Sequence, residues 1–186
     1  MNIKFLMQYF LHPRTTGAVI PSSRRLAYKM IRDIEFNDCK CIVEYGPGTG
    51  VFTDEILKRC NNNTLIILME YNEQFCKVLK NKYDNMKNVY IVNDSAENLD
   101  KYLNKYGIND VNYIISGLPF ASLPSEMTEK ILTITRNILG NKGTFITFQY
   151  TKLKISLINN YFGEIKSDYE LLNIPPAYIL RCKNKL

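Results

Sequence analysis

The sequence predicts an α/β protein with a seven-stranded, mostly parallel sheet, and three observations support this. From residue 38 onward, short apolar runs rich in β-branched residues alternate with segments whose apolar residues recur at helical spacing. A turn with three glycines directly follows the first run. Near the end of the chain, two strand-like runs are too close for a crossover helix between them, so we expect them to pair antiparallel. Alternating strands and helices imply helices on both faces of the sheet.

The first part of this pattern contains three strand–helix pairs. The first predicted strand is "CKCIVEYG", and the segment "VFTDEILKRC" after it carries Phe52, Ile56 and Leu57 at helical spacing. The second strand is "NTLIILMEYN", which is followed by the helix "NEQFCKVLKNKYD". The third strand is "NVYIVNDS", and the helix "AENLDKYLNKYG" after it ends at Gly107, as helices often do at glycine.

The second part contains two more pairs and the closing hairpin. The fourth and fifth strands are "VNYIISGLPF" and "GTFITFQY". The helix "PSEMTEKILTITRNILG" between them stops at Gly140, and "KLKISLINNYFG" is the fifth helix. Pro175 and Pro176 separate the last two strands within "EIKSDYELLNIPPAYILRCKN". Ligands of such a sheet bind beyond the carboxyl ends of its strands, which is where the glycine turn lies.

Composition indicates one soluble domain. The chain has 186 residues, of which 46% are hydrophobic and 23% are charged. Its net charge of +6 indicates an anionic partner, either nucleic acid or an acidic membrane face, while the abundance of Asn, Lys, Ile and Tyr also fits a compositional bias of the genome. Five cysteines without a C-x-x-C pair, together with a single histidine, His12, predict reduced thiols in the cytoplasm and no metal site.

The turn "GPGTG" places Gly46, Gly48 and Gly50 between the first strand and its helix. Glycine here permits a positive φ and lets a ligand lie against bare backbone. A phosphate-binding P-loop requires Lys-Ser/Thr after the last glycine, where this chain has Val51-Phe52. The dinucleotide motif G-x-G-x-x-G requires glycine or alanine at the position of Val51. Both phosphate-binding interpretations are therefore disfavoured.

Three carboxylates accompany the turn, one near the end of each of the first three strands. Glu70 in "MEYN" is suited to accept hydrogen bonds from ribose hydroxyls, and Asp94 in "NDSA" is suited to an adenine amine. Glu44 favours a cationic group nearby and disfavours a pyrophosphate. The ligand that fits these residues is adenosine joined to a positively charged group.

In order and spacing, "VEYGPGTG", "MEYN" and "NDSA" resemble the first three motifs of class I S-adenosylmethionine-dependent methyltransferases. The resemblance implies a Rossmann-like domain over residues 38–186, and residues 1–37 are separately predicted to form an N-terminal helical lid and membrane-contact segment. It implies that the glycine turn holds the methionine part of the donor, Glu70 the ribose, and Asp94 with Ser95 the adenine. The residues predicted to bind the donor are Glu44, Gly46, Pro47, Gly48, Thr49, Gly50, Glu70, Tyr71, Asp94, Ser95, Ala96, Ser116, Ser22 and Ser23.

The segment "SGLPF" after the fourth strand resembles the acceptor motif of amino-group methyltransferases, which reads Asn-Leu-Pro-Tyr in rRNA adenine dimethylases. Leu118, Pro119 and Phe120 match its last three positions. Ser116 and Gly117 depart from it, so the side-chain amide that would accept a hydrogen bond from a planar base amine is missing. This departure disfavours nucleobase methylation. The alternative is that the segment only forms a turn that closes a buried strand.

Three segments resemble bacterial phospholipid N-methyltransferases, which methylate the amine of phosphatidylethanolamine. They are "FLHPRTTGAVIPSSRRLAYKM", "SGLPF" and "LNIPPAYILR". In that resemblance, the Gly-Ala and Pro-Ser-Ser segments cover the donor and the N-terminal helix contacts lipid. The stripe of Ile3, Leu6, Met7 and Phe10, followed by basic residues, predicts a helix that lies in a headgroup interface or packs over the domain as a lid.

The predicted reaction is a direct attack of a neutral lipid amine on the methyl group of the donor, without a metal or a covalent intermediate. The unperturbed pKa of such an amine is ~10, so the site must desolvate it or accept its proton. His12 and Tyr178 are candidate bases, although proximity and orientation are expected to supply most of the acceleration. The residues predicted to contact the acceptor are Ser116, Leu118 and Phe120.

The sequence therefore predicts a cytoplasmic N-methyltransferase that acts on a phospholipid and binds an anionic membrane surface peripherally, at its inner face, through the N-terminal segment. That segment lacks a signal-peptide cleavage site, and its apolar stretch is shorter than the ~20 residues that span a bilayer. One alternative is an RNA adenine N6-methyltransferase, which the net charge favours. A donor-binding protein without catalysis and a soluble amine as acceptor are also open. Nucleic acid is not the expected partner, and no obligate protein partner is inferred.

Overall fold

The computed structural model describes residues 19–151, 155–173 and 175–185, with side chains from residue 24 onward within these ranges. Its strands are β1 Cys41–Tyr45, β2 Leu65–Met69, β3 Val89–Val92, β4 Tyr113–Ser116, β5 Thr144–Gln149, β6 Glu164–Glu170 and β7 Ala177–Lys183. They form one sheet in the order β3-β2-β1-β4-β5-β7-β6. Strands β1 to β5 are parallel, and β7 pairs antiparallel with both β5 and β6. The predicted Rossmann-like fold with a C-terminal hairpin is confirmed.

The helices follow the predicted alternation. They are α1 Val19–Ile31, α2 Val51–Leu57, α3 Glu73–Tyr83, α4 Leu99–Tyr106, α5 Ser125–Leu139 and α6 Ile155–Asn159. The segment predicted as one helix after β3 begins with a 3₁₀ turn over Ala96–Asn98, because the Ser95 hydroxyl caps this turn by accepting from the Glu97 N–H. Within the described ranges, no helix is both long and apolar enough to cross a bilayer.

Strand alternation sends side chains into two apolar layers, one on each face of the sheet. The first layer packs α4, α5 and α6 against the face that carries Val43 and Phe145. The second packs α1, α2 and α3 against the face that carries Ile42 and Ile146. The parallel strands are therefore covered on both sides, as their continuous apolar runs require.

Helix α1 belongs to the second layer. Its residues Leu26, Met30 and Ile31 are buried there together with strand residues. Lys29 on the same helix donates to the Tyr169 carbonyl oxygen of β6 at 2.6 Å. This half of the segment 1–37 therefore packs in the core, while residues 1–18, with the predicted lipid contact, lie outside the described residues. The domain division at residue 38 stays a prediction.

Candidate active site

A cleft of about 280 Å³ opens at the carboxyl ends of β1, β2 and β4. In the sheet order, β1 lies between β2 and β4, so the chain reverses its direction of travel across the sheet at this point. Ligands of doubly wound sheets bind at such a reversal. The topology thus places the glycine turn, the ends of β2 and β3, and the loop after β4 around one space.

The glycine turn forms one wall of this cleft, and its three glycines have positive φ values of 64°, 57° and 83°. A Cβ on Gly48 would meet no atom within 4 Å, so the space beside it is open to the cleft. A Cβ on Gly50 would collide with the Tyr83 hydroxyl oxygen, so packing requires that glycine. The two residues between the glycines do not line the cleft, since Pro47 is buried and Thr49 faces a separate groove.

Glu70, directly after β2, is a carboxylate that faces the cleft. Its Oε2 accepts from the Gly48 N–H at 3.0 Å, and its Oε1 accepts from the Asn72 N–H at 2.8 Å. Burial raises the pKa of Glu70, and these backbone donors partly offset that effect. The two hydrogen bonds fix both oxygens and leave each with further acceptor capacity, which suits a pair of ribose hydroxyls.

Glu44 does not fit its predicted role near the donor. It is fully buried within β1 and faces α2, where its Oε2 accepts from the Thr53 hydroxyl at 2.7 Å. Among the described residues, its Oε1 has no hydrogen-bond partner. Burial raises the pKa of Glu44 to about 8, so the carboxyl is mostly neutral at pH 7. The physical reason is strand alternation, which turns Glu44 into the second apolar layer and away from the cleft.

The segment after β3 brings Asp94, Ser95 and Ala96 to the cleft. Asp94 Oδ1 accepts from the Ser95 N–H at 2.7 Å, and its Oδ2 accepts from the Tyr102 hydroxyl at 2.9 Å. Partial burial acts to raise the pKa of Asp94, but the hydrogen bonds it accepts, including one from Asn98, outweigh this and lower the pKa. Asp94 is therefore a charged, fixed acceptor at neutral pH.

Several lining residues were not predicted from the sequence. Tyr71 was predicted and is 61% exposed at the rim, but Phe75 on α3 joins it as a second aromatic ring in the lining. Leu123, Met127 and Ile131 add an apolar wall where α5 begins. Met127 and Ile131 are four residues apart on α5, a spacing in the sequence that could have identified them as one helical face, and Leu123 lies just before the helix.

The loop after β4 borders the other side of the cleft. Gly117 and Leu118 line it, whereas Ser116 is buried and its hydroxyl oxygen accepts from the Leu118 N–H at 3.2 Å. The Gly117 N–H donates to the Tyr45 carbonyl oxygen at 2.9 Å, which ties the loop to the end of β1. The backbone of this loop is therefore fixed, and Ser116 supports it without lining the cleft.

Phe120 does not fit its predicted contact with the acceptor. Its side chain is fully buried and packs edge to face against Phe145, with ring centroids 6.2 Å apart. The loop turns back on itself, since the Phe120 N–H donates to the Leu118 carbonyl oxygen at 3.0 Å, and this turn directs the ring into the first apolar layer. The aromatic residue of the motif is thus part of the core.

The remaining candidates are not placed in the cleft. Tyr178 packs against Tyr169 in the closing hairpin, with ring centroids 4.6 Å apart, and is not part of the cleft lining. His12 and the side chains of Ser22 and Ser23 lie outside the described residues. In the part of the chain that is described, no three His, Cys, Asp or Glu side chains are grouped as a metal ion would require.

The chain is similar to methyltransferases of two kinds. The sequence model of the family Ribosomal RNA adenine dimethylase matches residues 17–162. The ornithine lipid N-methyltransferase of Singulisphaera acidiphila is 28% identical over 182 residues, which cover 96% of this chain and 94% of that protein. The ribosomal RNA small subunit methyltransferase A of Mycoplasma capricolum is 28% identical over 135 residues, which cover 72% of this chain but 48% of that protein. The chain thus spans about half of this rRNA-modifying relative.

Solved structures share the fold at low sequence identity. The N-methyltransferase NodS from Bradyrhizobium japonicum, in complex with S-adenosyl-L-homocysteine, has a TM-score of 0.71 at 9% identity and covers 94% of this chain and 92% of its own. Fibrillarin from Aeropyrum pernix, with natively bound S-adenosyl-L-methionine, has a TM-score of 0.66 at 15% identity and covers 86% of this chain and 76% of its own.

The cleft fits S-adenosylmethionine, which when bound supplies an electrophilic methyl group. The open space beside Gly48 is compatible with the predicted position of the methionine part, and the fixed oxygens of Glu70 suit ribose hydroxyls. Asp94 and the apolar wall suit an adenine ring. The family match covers most of the chain, including every residue that lines the cleft. The chain belongs to the ribosomal RNA adenine dimethylase family and is an S-adenosylmethionine-dependent methyltransferase.

Proposed function

We propose that the protein transfers methyl groups from S-adenosylmethionine to the amine of a membrane-lipid headgroup. The first candidate acceptor is phosphatidylethanolamine with its methylated derivatives. The second is an ornithine lipid, the acceptor after which the Singulisphaera acidiphila relative is named. Both present the same chemistry, an alkylamine held close to a bilayer, so one site geometry serves either acceptor.

The observation that carries the proposal is Gly117, which stands at the position of asparagine in the Asn-Leu-Pro-Tyr motif. A Cβ at this position would lie 3.0 Å from the Gly46 carbonyl oxygen and 3.6 Å from that of Tyr45. The loop therefore lacks the side-chain amide, and a Cβ at this position would crowd the Gly46 carbonyl oxygen. A planar base amine requires such an acceptor for orientation, whereas an alkylamine needs only to be desolvated and aligned.

The apolar residue after Gly117 supports the same acceptor. Leu118 directly follows Gly117 and lines the cleft. Removing water from an ammonium group disfavours its charged form and lowers its pKa, which makes the attacking lone pair available. The chain itself therefore orients and desolvates the amine, and no strongly basic side chain among the described residues lines the cleft.

RNA adenine is the second kind of candidate acceptor, because the family match names it and because one helix suits nucleic acid. On α4, Lys101 and Lys105 each precede a tyrosine, and the Lys105 Nζ lies 5.7 Å from the Tyr106 ring centroid. Basic and aromatic residues interleaved on one element are typical of nucleic-acid-binding surfaces. We rank this acceptor below the lipid amines because Gly117 removes the amide that would read the base.

The test is methyl transfer from radiolabelled S-adenosylmethionine to three acceptors in parallel: phosphatidylethanolamine vesicles, ornithine-lipid vesicles and unmodified rRNA. Glu70→Ala serves as the inactive control. We expect label in lipid from the native protein and none from the variant. Label in rRNA alone would overturn the proposal. Gly117→Asn, which restores the motif, is expected to destabilise the fold without creating activity on RNA.

A further inference from the structure

We propose that the tip of the β6–β7 hairpin is a membrane-docking surface that inserts Leu171 and Leu172 among lipid headgroups. The hairpin tip is defined here as residues 169–173 and 175–178. The proposal rests on the proposed function, since it assigns to that lipid-modifying site the surface through which it reaches a bilayer. It assigns the contact to the closing hairpin, a different part of the sequence from the predicted N-terminal segment.

The two leucines are the most exposed large aliphatic side chains among the described residues. Leu171 is 69% exposed and Leu172 is 61% exposed. Tyr169 precedes them, is itself exposed, and packs against Tyr178 across the hairpin with ring centroids 4.6 Å apart. Moving two adjacent leucines from water into an apolar phase lowers the free energy, and tyrosines are favoured where such a phase meets water.

The turn that presents the leucines is braced by hydrogen bonds. Glu170 Oε1 accepts from the Leu172 N–H at 3.0 Å, and the buried Asn173 donates from Nδ2 to the Pro175 carbonyl oxygen at 2.7 Å. Glu170 is buried as well and is paired with Arg25 and Lys29 of α1, at 3.5 and 3.6 Å. Polar groups beneath the tip thus hold the two leucines outward.

The hairpin tip lies at the same edge of the sheet as the cleft. Tyr178, near the start of β7, is in register with Gln149, the last residue of β5. Since β5 is parallel to β1 and β4, its carboxyl end marks the edge where the cleft opens. A bilayer that meets the two leucines is therefore at the edge from which a lipid amine must enter.

Charge around the tip complements an anionic membrane. Helix α1 runs beside the hairpin, with Arg25 near Glu170 and Arg32 near Asp168, so its N-terminal end lies toward the tip. Arg25 remains 59% exposed despite its ion pair, and Arg24 next to it is exposed. Basic side chains at the edge of an inserted apolar tip bind acidic headgroups. The net charge of +6 adds a long-range attraction of the same sign.

A second copy of the chain fits this surface less well. Strand β6 is the edge strand beside the tip, and it carries Glu164, Lys166 and Asp168. Charged side chains along an edge strand oppose pairing with another strand. Two leucines on a narrow turn also offer little area compared with the ~800 Å² per partner of a stable interface. A bilayer needs neither a complementary strand nor a large flat patch.

The experiment compares vesicle binding of the native protein with that of the Leu171→Ser/Leu172→Ser double variant. Vesicles contain phosphatidylethanolamine and phosphatidylglycerol, and binding is measured by co-sedimentation. We expect the double variant to bind at least about tenfold more weakly, since partial burial of two leucines is lost. Its affinity for S-adenosylmethionine and its thermal unfolding should be unchanged, because both side chains are exposed. Val78→Ser, which removes an exposed apolar side chain on α3, is the matched control and should bind like the native protein.

The outcomes separate this proposal from the proposed function. Equal vesicle binding by the double and native proteins overturns the docking surface, even if lipid in detergent micelles is methylated. A native dimer that the double variant dissociates, with vesicle binding unchanged, also overturns it and assigns the tip to self-association. Vesicle binding that depends on the leucines, with no label in any lipid amine, leaves the docking surface standing and removes the proposed function.

Discussion

The predicted donor side of the cleft and the proposed acceptor side carry different kinds of side chains. On the donor side, Glu70 and Asp94 accept hydrogen bonds on both carboxylate oxygens, and Gly48 leaves bare backbone beside them. On the acceptor side, Gly117 brings no side chain and Leu118 is apolar. A polar ligand of fixed shape needs fixed partners, whereas a flexible alkylamine needs desolvation and alignment. The difference explains why sequence motifs identify the donor more sharply than the acceptor.

The largest expected effect is on stability, and it tests whether Gly50 is required for packing while Gly48 is required for ligand binding. Gly50→Ala should lower the free energy of unfolding by about 4 kcal/mol, since a left-handed φ and a contact with Tyr83 are both imposed. Gly48→Ala should cost only about 1 kcal/mol, because no atom opposes its Cβ, yet it should weaken donor binding. Urea denaturation measures the free energy of unfolding of both variants. Equal losses of stability would mean that Gly50 is not required for packing more than Gly48 is.

The next effect tests whether Glu70 holds the donor. Glu70→Ala should weaken S-adenosylmethionine binding by about 100-fold, because hydrogen bonds to a charged acceptor contribute about 1.5–3 kcal/mol each. Isothermal titration calorimetry gives the affinity. Glu73→Ala, three residues later and exposed in an ion pair with Lys77, is the control and should bind normally. An unchanged affinity of Glu70→Ala for S-adenosylmethionine would show that this carboxylate does not bind the ribose.

A smaller effect comes from the buried carboxyl behind the donor side. Because the pKa of Glu44 is raised to about 8 in the folded protein, the folded state binds a proton that the unfolded state has already released. The stabilisation is complete below the unfolded pKa of ~4.3 and is lost as pH rises through 8. Between pH 6 and 8 the stability should fall by about 2 kcal/mol from this group.

Glu44→Gln removes the titrating group and keeps an oxygen for Thr53 to donate to. Its stability should therefore depend less on pH between 6 and 8 than that of the native protein. Exposed Glu73→Gln is the matched control and should keep the native slope. Parallel slopes for Glu44→Gln and the native protein would show that Glu44 is charged in the folded state.

The smallest effect concerns the acceptor side. Phe120→Leu should lower the free energy of unfolding by about 1 kcal/mol, the cost of a near-conservative change in a packed core. The turnover number should stay native, since the ring lies against Phe145 and not in the cleft. A large loss of turnover with a small loss of stability would return Phe120 to the acceptor contact predicted from its motif.

Much of the fold follows from local pattern. The strands and helices were predictable because each apolar run has the period of its element, and the hairpin because Pro175 and Pro176 leave no room for a helix. Glu70 was also predictable, since it follows the last residue of a parallel strand. Glu44 lies inside its strand, and which face an interior position presents depends on the register of the sheet.

The acceptor side could not be predicted to the same depth. The direction of the Phe120 side chain depends on a turn closed by one backbone hydrogen bond within its loop. Sequence similarity to the motif predicts that the ring faces the cleft, whereas this turn directs it into the core. Leu171 and Leu172 are apolar like any core residue, and only the folded structure shows that they are exposed on a turn in which Glu170 accepts from the Leu172 N–H and Asn173 donates to the Pro175 carbonyl oxygen. The orientation of a loop side chain is determined by tertiary contacts, and these leave no periodic pattern in the sequence.

The contact between α1 and the closing hairpin has a consequence for how the chain folds. Lys29 donates to the Tyr169 carbonyl oxygen, and Arg181 donates from Nη2 to the Lys29 carbonyl oxygen at 2.8 Å, a separation of 152 residues. Contacts between such distant positions close late and slow folding. An emerging chain can form the parallel part of the sheet, β1 to β5, before β7 is available. The side of α1 that contacts the hairpin stays uncovered until residue 181 has been synthesised. The second layer is therefore completed only when β7 joins the sheet, and a chain cut before β7 would leave the edge of β5 open to aggregation.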